Sequence, residues 1–121
     1  MSKLVLIVDD EPHNVKLVRD LVQLLGYATI EATNGREGVE RVLLDKPDLV
    51  LMDVQMPIMD GIQAITWLKS NPATRDVPVV VLTSYAMVGD KERITLAGCD
   101  HYLTKPLDTR QFMKLVKEIL G

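Results

Sequence analysis

Three runs in this chain, LVLIV at 4–8, DLVLMD at 48–53 and VPVVVLT at 77–83, are almost unbroken aliphatic sequence. Each is too short for a helix of ordinary length and is bounded by turn residues. Such runs fit strands covered on both faces, in the middle of a core. Two further runs, ATIEA at 28–32 and HYLTK at 101–105, read as strands, and the mixed polarity of ATIEA suits a sheet edge.

Segments of helical period separate the runs. Val15, Val18, Leu21, Val22 and Leu25 share one helical face, with Pro12 in the first turn and Gly26 placed to end it. Asn34 and Glu37 have the spacing of a capping box ahead of Val39, Val42 and Leu43, and Lys46-Pro47 stops that helix. A third helix is expected from about Asp60-Gly61, presenting Ile62, Ile65 and Leu68. A fourth, over about 87–97, carries a weak stripe of Ile94, Leu96 and Ala97; the fifth carries Phe112, Leu115, Val116, Ile119 and Leu120. Five strands alternating with five helices predict an α/β fold, a doubly wound parallel sheet of flavodoxin-like (βα)5 type. The expected strand order is 2-1-3-4-5, with a crevice at the carboxyl ends of strands 1 and 3.

Length and charge bound the rest. At 121 residues the chain is expected to be one domain with a sufficient core. A net charge of −3 gives no bulk attraction to nucleic acid or anionic membrane. No apolar run approaches the ~20 residues a membrane span needs, and a lone cysteine, Cys99, expected in the core, fits a reducing, cytoplasmic setting. No G-x-G-x-x-G or Walker A pattern follows the first strand.

The strand assignments bring Asp9 and Asp10, Asp53, Thr83 and Lys105 to one rim. The two adjacent acids converge only because the chain is leaving its strand there. An Asp after a strand is commonly a helix N-cap, and a Thr or Lys at a strand end is ordinary; five such residues from four strands are a set. Clustered carboxylates raise one another's pKa, and an all-oxygen donor set suits Mg2+ rather than Zn2+. Asp53 could then attack phosphorus to form an aspartyl phosphate, with Thr83 and Lys105 neutralising phosphoryl oxygens. Glu11, the third acid, suits the start of the first helix.

Four segments, LIVDDEP, DLVLMDVQMPIMDG, VVVLTSYAM and YLTKPL, resemble in order and spacing the receiver domains of two-component response regulators, the CheY-like group. The resemblance covers essentially the whole chain as a single receiver domain, 1–121. The segment AMVGDKERITLAGCDHYLTKP resembles receivers of hybrid kinases and single-domain regulators such as DivK. The resemblance implies that Asp53 is the phosphoacceptor and that Asp10, Asp53 and the Gln55 carbonyl bind Mg2+, with Asp9 acting through water. It further implies that Thr83 and Lys105 contact the phosphoryl group, that Tyr102 is a switch aromatic responding to Thr83, and that Lys105-Pro106 is cis. Ser84 stands where Ala is commonest, and Gln55 and Tyr85 hold positions that tune dephosphorylation. The implied partners are a histidine kinase or histidine phosphotransfer protein and a downstream protein that reads the face of helix 4, strand 5 and helix 5. The implied catalysis is only of the domain's own phosphorylation and dephosphorylation.

His13 and His101, which could be mistaken for phosphodonors, are expected at the surface. If 121 residues are the whole gene product, output is expected through protein contact or onward relay. Two other readings stay open: a small Mg2+-dependent aspartyl-phosphate phosphatase of the haloacid-dehalogenase type, and a phosphorylation-independent interaction module. The first expects D-x-D on strand 1, whereas the acids here are adjacent.

Overall fold

The aliphatic runs form the centre of a five-stranded parallel sheet. The computed structural model describes residues 3–53, 58–84 and 89–121. The strands are β1 (Leu4–Val8), β2 (Ala28–Ala32), β3 (Leu49–Asp53), β4 (Val79–Thr83) and β5 (His101–Thr104). The helices are α1 (Pro12–Leu24), α2 (Gly35–Asp45), α3 (Ile58–Ser70), α4 (Asp90–Leu96) and α5 (Thr109–Leu120). The sheet order is β2-β1-β3-β4-β5, so the three most apolar runs are central and ATIEA is an edge, as expected.

Alternate residues of the central strands feed two cores. Leu6, Val8, Val50, Met52, Val79 and Val81 pack with Val42 of α2, Ile65 and Leu68 of α3 and Ile94 of α4. Val5, Ile7, Leu49, Leu51, Val80 and Leu82 pack with Val18 and Val22 of α1 and Phe112, Val116 and Leu120 of α5. Helices on both faces therefore explain why the central strands show no polar alternation.

Local chemistry fixes most boundaries. The Glu11 side chain caps α1 by accepting from His13 N–H at 2.8 Å, with Pro12 in the first turn. Asn34 accepts from Glu37 N–H at 2.9 Å, while the Glu37 carboxylate reaches back to Thr33, one residue before the cap. Lys46, in left-handed geometry (φ 48°), ends α2. At the amino edge, Asp100 accepts from Val79 N–H and from Lys69 Nζ, both at 2.7 Å. Lys69 also donates to the carbonyls of Arg75 and Val77. This clamp joins the end of α3, the start of β4 and the start of β5.

Several expectations are corrected. α3 begins at Ile58, two residues before Asp60. β4 begins at Val79, because Pro78 has no N–H for the ladder. Leu43 lies off the buried stripe of α2, and Leu96 of α4 is 86% exposed. Cys99 is half-buried rather than wholly internal, and burial raises its thiol pKa. In the fourth helical segment, residues 87 and 88 lie outside the described residues, and the described helix ends at Leu96.

Candidate functional site

Register sets which carboxyl ends meet. Val8 pairs with Met52 and Asp53 with Leu82, so the residue after β1, Asp9, lies level with Asp53 on the neighbouring strand. Parallel strands are ~4.8 Å apart. Two carboxylates carried one strand apart must therefore share a proton or cation, or repel. Thr104 pairs with Thr83, which places Lys105 just past the end of β5; its N–H donates to the Thr83 carbonyl at 2.8 Å.

The side chains converge accordingly. Lys105 Nζ makes a salt bridge with Asp53 Oδ2, the Asp53 side chain being only 3% exposed. Asp9 is buried, and its carboxyl pKa is pushed up to about 7. Burial is the main cause, reinforced by a hydrogen bond to Asp53 and by its charge; the Glu11 N–H, donating to Asp9 Oδ1 at 2.9 Å, and the Lys105 charge act the other way. Thr83 is buried at the end of β4, with Ser84 exposed beside it.

Asp10 is exposed on the bend after β1 and, with Asp9, lines a groove between α1 and β2. Among the described residues no three His, Cys, Asp or Glu side chains converge as metal ligands. The structure thus gathers Asp9, Asp53 and Lys105, sets Thr83 at the neighbouring strand end, and holds Asp10 at the margin. Gln55 and Tyr85 lie outside the described residues. The donor chemistry fits a hard cation: two buried oxygen ligands are joined by a hydrogen bond, a position where positive charge relieves their repulsion.

Tyr102, on β5, is half-buried against the α2–α3–α4 core, and Lys105-Pro106 is cis. His13 and His101 are both exposed, as expected. A cavity of about 190 Å³ opens beside Asp9, Asp53 and Lys105, walled by Asn14 and Leu17 of α1 and by Leu107. Sequence reasoning missed this wall. Its one signal is Leu17, an apolar residue off the buried stripe of α1 and 46% exposed.

With acid pair, lysine and threonine at one sheet edge, comparisons with known proteins become informative. Residues 5–117 match the family model described as the response regulator receiver domain. The chain is 42% identical over 121 residues to the polar-differentiation response regulator DivK of Brucella anthropi, covering 100% of this chain and 98% of that one. The receiver domain of a signal transduction histidine kinase from Syntrophus aciditrophicus superposes with a TM-score of 0.91 at 36% identity, covering 98% of this chain and 90% of that one. The receiver domain of a Pseudomonas aeruginosa sensor histidine kinase, solved with magnesium coordinated in its active site cleft, gives a TM-score of 0.89 at 28% identity with both chains fully covered. Among the described residues no helix is long and apolar enough to cross a membrane.

Proposed function

The chain belongs to the response regulator receiver domain family, and we propose that it takes a phosphoryl group from a phosphohistidine partner onto Asp53. The observation that carries this reading is the Lys105–Asp53 ion pair, buried beside a second carboxylate, Asp9. A buried carboxylate held by a lysine is positioned and desolvated for in-line attack, and most of phosphoryl-transfer catalysis is positioning and charge neutralisation. An Asp53 oxygen forms the new P–O bond as the P–N bond breaks. The imidazole nitrogen leaves with the electron pair and takes a proton from water.

Lys105 then trades its contact with the carboxylate for the phosphoryl oxygens. The Thr83 hydroxyl, at the next strand end, supplies a further donor to them. Asp9, Asp10 and Asp53 would hold Mg2+, which when bound supplies positive charge against the same oxygens. Pairing of Thr83 with the phosphoryl group alters the packing around Tyr102 on the adjacent strand. That biases the face of α4, β5 and α5 between two arrangements, which a downstream protein distinguishes. The partners are a histidine kinase or phosphotransfer protein and that downstream protein, and the setting proposed is the cytoplasm.

The test is incubation with Mg2+ and acetyl phosphate followed by intact mass. One phosphoryl group, labile to alkali, is expected on the wild type and none on Asp53→Asn. An unmodified wild type, or an adduct retained in Asp53→Asn, overturns the reading. Steady turnover of a generic phosphate ester would instead indicate the phosphatase chemistry.

A further inference from the structure

Lys91 is the second residue of α4 and stands one turn before Ile94, which is fully buried in the core beneath that helix. Residues three apart on a helix lie on one face. Lys91 is thus carried at the edge of the α4 face that meets the sheet, although its side chain reaches solvent. Its ammonium does not simply extend into water. Lys91 Nζ lies 5.6 Å from the centroid of the Tyr102 ring, within the range of a cation–π contact. A hydrogen bond to the Tyr102 side chain is the main cause holding the Lys91 pKa above its usual value.

Tyr102 is held separately at its backbone and at its ring. Its backbone sits in β5 opposite Val81, and its ring is half-buried against the α2–α3–α4 core. Its neighbour Leu103 points into the other core. The ring can therefore change position without unpairing the strand, and the charge on α4 sits over it where it now lies.

We propose that Lys91 is a latch on Tyr102: its ammonium, lying on the ring, holds the aromatic side chain in the position seen here and so sets the resting balance of the α4–β5–α5 face. This deepens the proposed switching role of Tyr102 and rests on it. Lys91 is a positioning residue, remote from the phosphoacceptor chemistry. A contact of this kind at an exposed site shifts a two-state ratio about two- to fivefold. Its loss should pre-shift the ring toward the arrangement favoured by phosphorylation, leaving the transfer chemistry unchanged.

The test uses the full chain, with the Tyr102 ring resonances and χ1 couplings read by NMR. The proteins are wild type, Lys91→Met, which keeps the aliphatic stem, and Lys91→Arg, which keeps the charge. Each is measured alone and with Mg2+ and acetyl phosphate. The unphosphorylated Lys91→Met protein should show Tyr102 displaced toward its phosphorylated position, with a two- to fivefold change in the population ratio. Lys91→Arg should sit near wild type, and core methyl signals such as Val22 should be unmoved in all three. A Tyr102 ring that answers phosphorylation but is indifferent to Lys91→Met overturns the latch alone. Equal displacement in Lys91→Met and Lys91→Arg also overturns it, because packing rather than charge would then be responsible. A ring indifferent to phosphorylation in the wild type overturns both the switching role and the latch built on it.

Discussion

Asp9 carries the clearest energetic signature of the site. Its carboxyl is buried beside Asp53 and titrates near 7, above the ordinary value for an aspartate. Between its unfolded pKa and about 7 the folded chain therefore binds more protons than the unfolded chain. Stability from this group is full below the unfolded pKa and is lost as pH rises through the folded one. Urea unfolding in EDTA should find Asp9→Asn more stable than wild type at pH 8, by on the order of 1 kcal/mol. The gap should close by pH 4. An Asp9→Asn protein less stable than wild type at pH 8 would refute this assignment. Much of this could be read beforehand: three acids ending an apolar run already announced repulsion. The sequence did not say that Asp9, rather than Asp10, is the buried one, because that depends on which way the chain bends after Val8.

Among the elements, α2 is held against β1 by the absence of a side chain. A Cβ added at Gly38 would lie 2.9 Å from Val8 Cγ2, closer than real carbon atoms approach. Valine is stiff at χ1, so the helix or the strand must give. Gly38→Ala should cost about 1–3 kcal/mol in chemical denaturation, the usual range for overpacking. Val8→Ala in the same chain should recover part of that loss. Additive costs in the double variant would show that the two side chains do not collide. The Lys69–Asp100 clamp works at the opposite edge of the sheet from Asp53. Lys69→Met removes the donor shared by two carbonyls and the partly exposed Asp100 carboxylate, so it should destabilise the fold by about 1–2 kcal/mol, while phosphorylation of the remaining folded protein persists. Loss of phosphorylation in still-folded Lys69→Met would place the clamp in the site instead. The clamp was invisible in sequence, since it joins residues 69, 79 and 100, which share no local pattern. Period alone did locate α1, α2 and α5, because their buried stripes and caps agree.

For the whole molecule, the division of labour follows from parallel topology. Every strand ends at the same edge, so residues placed after β1, β3, β4 and β5 are gathered without any local motif joining them. That is why the fold and the acid–lysine–threonine set were readable from spacing. The cavity wall of Asn14, Leu17 and Leu107 was not, because it depends on how α1 and the β5–α5 connection lean over the rim. The Lys91–Tyr102 contact was equally hidden, being a meeting of two side chains across a loop. The amino edge is pinned by Asp48, which accepts from Leu4 N–H at 2.8 Å, and by Asp100. The Asp9–Asp53–Lys105 cluster lies at the carboxyl edge, away from these ties.

Which atom takes the phosphoryl group decides the whole account. Wild-type protein treated with Mg2+ and acetyl phosphate should be reduced with borohydride, which converts an acyl phosphate to an alcohol, and then mapped by tandem mass spectrometry. We predict homoserine at position 53 and at no other aspartate. Homoserine at Asp9 or Asp10, or a phosphoryl group left on His13 or His101, would show that the buried Lys105–Asp53 pair is not the acceptor.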